Sequence, residues 1–137
     1  MIEVGGVYRL LLTFTTPPKE KYCLCVNPRP LFFKINSLVN SFIQKKPALV
    51  AQQVLLRRET HSFLAHDSWL DCSDLCSVPS PPPHNQLEQD PSRFMGRIAP
   101  EMISTVIDVV SASTTIPQLK KTSITAALES ALSNRGP

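Results

Sequence analysis

The chain has 137 residues, 42% of them apolar, and a formal net charge of +3. That length and composition suit one domain with its own core and exclude a disordered chain. The small positive excess permits a polyanionic partner without requiring one. No run of about 18 apolar residues occurs, which excludes a membrane-spanning helix. The first residues lack a basic stretch and a small-residue cleavage site, so the expected location is the cytoplasm, where the four cysteines stay reduced.

In chain order, VYRLLLTF at 7–14 follows a Gly-Gly pair and reads as a strand. Residues 15–20, with Pro17 and Pro18, make a polar loop. KYCLCV at 21–26 reads as a strand buried on both sides, with Tyr22, Leu24 and Val26 on one face and Cys23 and Cys25 on the other. Asn27 to Pro30 turns the chain and LFFKI at 31–35 returns it, completing an antiparallel meander. A short helix is expected from Ser37 or Asn40 to Pro47, a strand in preference to a helix at 48–56, and a kinked strand at 61–70 closed by a turn at 71–76. Five of the 13 prolines fall between Pro79 and Pro91, and the run 79–85 reads as irregular. Pro100 suits a first helical position, and Met102, Ile103, Val106, Ile107 and Val110 form an apolar stripe. A second helix follows Pro117 with Ile124, Leu128 and Leu132 on one face and Thr122 or Ser123 as its cap. The expectation is one α+β domain: a β-rich core at 1–77, a Pro-rich loop at 78–91 and a helical part at 92–137.

Several chemistries are excluded. There is no Cys-X-X-Cys redox motif, no nucleophile elbow, and no phosphate-binding Gly-rich loop among only four glycines. Contiguous His66-Asp67-Ser68 does not make a triad, because an extended chain turns Asp67 away from its neighbours. Asp67 and Asp71 read as turn caps, and polar residues of this segment as candidates to line a cleft. Cys23, Cys25, Cys72 and Cys76, with His61 and His66 nearby, hold enough sulfur and nitrogen for a metal on paper. The strand pattern makes the cysteines small core residues instead. What remains is Lys21, which opens the second strand, and Asn36-Ser37, which closes the third. Antiparallel pairing sets these ends side by side, and a cation beside a hydroxyl can bind a phosphodiester and stabilise a developing phosphorane.

Gly6-Val7-Tyr8, the strand Lys21–Val26 and the strand 31–37 together resemble the first three strands of the MazF/PemK-like toxins of bacterial toxin–antitoxin systems. The resemblance covers about the first 40 residues. It implies a small SH3-like antiparallel β-barrel followed by two C-terminal helices. It also implies a metal-independent endoribonuclease that cleaves single-stranded RNA through the RNA 2′-OH, needs no cofactor, is held by an antitoxin protein and forms a homodimer. Position by position it makes Lys21 and Ser37 the catalytic pair; with RNA as the substrate, the nearby polar residues Lys19 and Asn36 and the cleft candidates Asp67 and Ser68 are the expected RNA-binding residues. The chain departs from the family in its Thr-Pro-Pro loop, in lysine where the family has arginine, which loses the bidentate fork, and in an Arg29-Pro30 pair one hairpin late. The alternative is a non-catalytic SH3-like module that binds a protein or a nucleic acid.

Overall fold

The computed structural model describes residues 2–13, 17–76 and 79–135. Strands β1 (Gly6–Leu12), β2 (Lys19–Asn27) and β3 (Leu31–Asn36) form the expected meander. The end of the predicted first strand and the start of its loop, residues 14–16, lie outside the described residues, as do 77 and 78. Cys23, Leu24, Cys25 and Val26 are all buried, so β2 is a central strand covered on both faces.

Three short strands complete the sheet: β4 (Gln53–Leu56), β5 (Ser68–Asp71) and β6 (Phe94–Arg97). The order is β4-β5-β3-β2-β1-β6, antiparallel throughout, and the sheet curls into a half-barrel. The remaining elements are α1 (Ser41–Gln44), α2 (Pro47–Val50), α3 (Pro83–Gln89), α4 (Pro100–Ser111) and α5 (Gln118–Asn134). The fold is α+β, a small open barrel followed by its two longest helices. No helix among the described residues is long and apolar enough to cross a membrane.

Each sheet face has its own core. Val7, Leu24, Val26, Phe33, Ile35 and Leu70 pack against Ile103, Val106 and Val110 of α4 and Ile124 and Leu128 of α5. Fully burying a side chain of this size contributes about 1.5–3 kcal/mol, so the inner face carries most of the apolar stabilisation. On the outer face Tyr8, Leu10, Leu12, Cys23, Cys25 and Phe32 form a smaller cluster, covered by Cys76 and by Leu87 of α3.

Several local expectations are corrected. The run 79–85 is not wholly irregular, because Pro83 takes the first position of α3, where a missing N–H costs nothing. Gln86 of that helix is buried, accepting from Leu11 N at 2.8 Å and donating to Leu11 O at 3.3 Å. A side-chain amide thus completes the β1 edge beyond the last β1–β6 pair, Tyr8↔Phe94. The expected strand at 48–56 is split. Pro47 starts a helical turn, and buried Gln52 bonds Ala48 O at 3.0 Å and is reached by Ser113 Oγ at 2.5 Å, leaving only 53–56 extended. Of the strand expected at 61–70, only Ser68–Asp71 forms. The chain before it turns at His61, whose Nε2 accepts from Ala99 N at 3.1 Å and whose Nδ1 lies 2.9 Å from Arg57 O. Strand β6 was not expected in the helical part. It has four residues, one of them Gly96, and exists because β1 offers an edge.

The short helix begins after Asn40, whose Oδ1 accepts from Ile43 N at 2.9 Å, and Pro100 opens α4 as expected. α5 also starts directly after Pro117 as expected, but Thr122 and Ser123 sit inside it and cap neither end. The Ser123 hydroxyl instead accepts from Asn27 Nδ2 at 2.5 Å, while Asn27 Oδ1 accepts from Arg29 N at 3.0 Å. That side chain shapes the β2–β3 turn and ties it to α5.

Candidate nucleic-acid interface

Because paired residues of an antiparallel sheet share a face, the register sets out what lies on the outer face. The pair Tyr22↔Ile35, carried one step on, sets Lys21 opposite Asn36, and Asn36 pairs with Trp69, which pairs with Leu55. Cys23, Lys34, Asp71 and Gln53 form the adjacent row. Beyond the small apolar cluster, this face is therefore polar and basic. Lys21 and Lys34 are half-buried and Lys19 is exposed.

The Lys21 ammonium donates to Asn36 Oδ1 at 3.0 Å. Its pKa is lowered, first by burial and then by the positive charges of Lys34 and Lys19. The carboxylates that would neutralise such a group are engaged elsewhere. Glu20 pairs with Arg93 at 2.5 Å and with Arg9 at 3.6 Å, and Asp90 pairs with Arg9 at 3.3 Å. Asp71 sits opposite Lys34 but is buried, and its Oδ1 takes Gln53 Nε2 at 2.9 Å, Ser73 N at 3.0 Å and Ser73 Oγ at 2.5 Å. Among the described residues none of Lys19, Lys21 and Lys34 makes an ion pair within 4.0 Å. Lys21 therefore sits among like charges with no acid between them, and this part of the face carries unneutralised positive charge.

The residues singled out in the sequence separate into two places. Lys19, Lys21 and Asn36 share the basic face. Ser37 lies just past β3, exposed, and no hydrogen bond links it to Lys21 among the described residues. The hairpin brings the two strand ends to one edge, as expected, but Lys21's partner is Asn36. Asp67 ends the turn before β5, and Ser68 is the first residue of that strand. Asp67 Oδ1 accepts from Arg58 N at 2.9 Å, as a turn cap does, and the Ser68 hydroxyl donates to His66 O at 3.1 Å. The His66 ring has Asp67 O, a backbone atom, at 2.9 Å and Ser68 Oγ at 3.3 Å, so no carboxylate orients it.

The four cysteines do not converge. Cys23, Cys25 and Cys76 pack on the outer face, Cys72 belongs to the inner core, and all are free thiols. Burial pushes the Cys25 thiol up to about 11 and raises Cys72 further, which is the behaviour of core residues. Among the described residues no group of three or more metal-ligating side chains gathers.

A groove of about 840 Å³ runs between the N-terminal segment and α5, lined by Glu3, Arg97, Ser130 and Arg135 among others. Its charges are only partly paired, and Arg135 Nη2 is buried with no hydrogen-bond partner among the described residues. Arg97 Nε lies 2.7 Å from Glu3, and Arg135 donates to the Ile98 carbonyl.

Lys34 and Trp69 escaped the sequence reading. Lys34 was legible in principle: it interrupts an apolar strand two residues from Asn36, and the 27–31 turn sets it opposite Cys23. Trp69 was not, because its position depends on β3 pairing with β5, a contact between distant segments. No protein-family model matches the chain, and none of the curated proteins does.

Proposed function

We propose that this protein binds single-stranded RNA across the β2–β3–β5 face and cleaves it without a metal, in the manner of the toxins its first three strands resemble. The observation that carries the reading is Lys21: half-buried, bonded to Asn36, and crowded by Lys19 and Lys34 with no acid to neutralise it. Phosphates draw such a cluster together, and a lysine whose proton is already loosened is suited to proton transfer. In this mechanism the RNA 2′-OH attacks the adjacent phosphorus and its proton passes to water. Lys19 and Lys34 offset the charge on the phosphorane, and Lys21 protonates the leaving 5′ oxygen. Asn36 orients the ammonium. Ser37, exposed at the strand end, contacts the RNA backbone on this reading. An antitoxin protein and a second copy of the chain are the further partners, and the cytoplasm is the site of action.

A second reading is favoured by the separation of Ser37 from Lys21: the same face binds RNA or a protein without turnover. One experiment decides between them. Purified protein is incubated with a labelled unstructured RNA in the presence of a chelator. Cleavage to products with cyclic phosphate ends, lost in Lys21→Ala, supports the nuclease. Binding without cleavage supports the module, and neither binding nor cleavage removes the RNA reading altogether.

A further inference from the structure

Trp69 is the chain's single tryptophan. It stands on β5 between Ser68 and Leu70, which are buried, and is itself half-buried. Alternation along the strand puts Ser68 and Leu70 toward the inner core and Trp69 on the outer face with Asn36 and Leu55. A tryptophan buried for the fold usually has its N–H satisfied and often packs on another ring. The ring pairs among the described residues join Tyr8, Phe32, Phe94, Tyr22, Phe63 and His61, and the cation–ring contacts involve Phe42 and Phe94. Trp69 takes part in none of them. Its indole N–H has no hydrogen-bond partner among the described residues, nor is it among the buried unpartnered atoms, so it is open to solvent.

Two cations lie to one side of it, on and across β3. Asn36, directly opposite Trp69, is the residue that holds the Lys21 ammonium. Lys21 is two strands from Trp69, about 10 Å between backbones, and Lys34 is its diagonal neighbour at about 7–8 Å. A half-buried indole with no ring partner, bordered by lysines, is the combination that holds unpaired nucleotides, since every base has a stacking face and a duplex hides it.

We infer that Trp69 is a stacking platform for one unpaired base of a bound RNA strand, whose flanking phosphates lie on Lys21 and Lys34. The inference rests on the RNA-binding reading above and adds to it a residue, a contact and a restriction to unpaired nucleotides.

The single tryptophan makes the test direct. The emission of the unmodified protein is titrated with oligouridylate, with the same sequence in a duplex, and with inorganic polyphosphate, while fluorescence anisotropy of a labelled strand follows binding separately. The expected result is quenching by oligouridylate that saturates with the anisotropy, and little quenching by duplex or polyphosphate. Trp69→Ala weakens oligouridylate binding by about 5- to 150-fold, and Trp69→Phe restores most of it. Binding with no change in emission overturns the platform and leaves RNA binding standing. Equal quenching by polyphosphate or duplex also overturns it. No oligouridylate binding by anisotropy overturns the RNA reading itself. If Trp69→Ala does not fold, the titration of the unmodified protein and the Trp69→Phe variant still decide.

Discussion

The salt dependence of RNA binding gives the most direct quantitative test of the basic face, and Lys21→Ala is the perturbation. Three lysines on this face lack an ion-pair partner within 4.0 Å among the described residues: Lys19, Lys21 and Lys34. Arg57, next along β4, is held by Glu59 at 2.9 Å and adds no free charge. Each phosphate neutralised on a single strand contributes about −0.7 to the slope of log affinity against log salt. Three contacts give a slope of about −2.1, so raising salt from 50 to 200 mM weakens binding about 18-fold. With Lys21 removed, two contacts remain, the slope falls to about −1.4, and the same change in salt costs about sevenfold.

The assay is anisotropy of a labelled oligouridylate across that salt range, with Lys21→Arg as the control. Arginine keeps the charge, so it keeps the slope even where it alters cleavage, because it holds its proton at any working pH. An unchanged slope in Lys21→Ala would refute the reasoning, since it would place the phosphates elsewhere. A slope near zero in the unmodified protein would do so more broadly.

Two further outcomes concern stability. Lys21 has a lowered pKa in the folded state, chiefly from burial. Between that value and the ordinary lysine value the unfolded chain holds more protons than the native one, so this residue makes stability rise with pH through the window. Lys21→Met is therefore expected to raise the melting temperature at neutral pH by about 2 °C, the effect of a few tenths of a kcal/mol, and to flatten that alkaline rise. A lower melting temperature would mean that the bond to Asn36 outweighs the burial and repulsion. Replacing buried His61 by Ala leaves the Ala99 N–H and the Arg57 carbonyl without their partners and opens a cavity. The expected loss is about 3 kcal/mol by urea unfolding, and a loss below about 1 kcal/mol would show that the ring is replaceable by water.

Local pattern carried the first three strands and the last two helices. β2 was legible because apolar residues occupy both of its faces, and α4 and α5 because their apolar residues recur at three and four. The middle of the chain was not legible, for physical reasons. His61 and Gln52 are polar residues buried because distant backbone and hydroxyl groups, Ala99 N and Ser113 Oγ, come to meet them. β6 exists only as a complement to an edge that β1 leaves open. The candidate site follows the same division. The approach of Lys21 to Asn36 is a property of one hairpin and could be read from its turn, whereas the approach of Trp69 to Asn36 requires the 32 intervening residues to fold back.

The difference between the two sheet faces explains why a site forms where it does. The inner face is sealed by α4 and α5 over Val7, Leu24, Phe33, Ile35 and Leu70, and its charged residues, Arg9 and Glu20, lie toward the far ends of β1 and β2. Among the described residues the outer face is covered by the seven-residue α3, the loop carrying Cys76 and the N-terminal Ile2 and Val4, enough for Tyr8, Leu10 and Cys23 but not for the far ends of β3 and β5. On the uncovered part the paired positions carry Lys21, Lys34, Asn36 and Trp69. Lysine and asparagine there are what an exposed face requires for solubility. Three lysines without an acid and a tryptophan without a partner are not required for solubility, and they cost stability through repulsion and exposed apolar area. A fold that only needed a solvated face would balance those charges, as β1 and β2 do with Arg9, Glu20 and Arg93. The excess is best accounted for by a ligand that brings both the missing negative charge and a flat surface to lay on the indole.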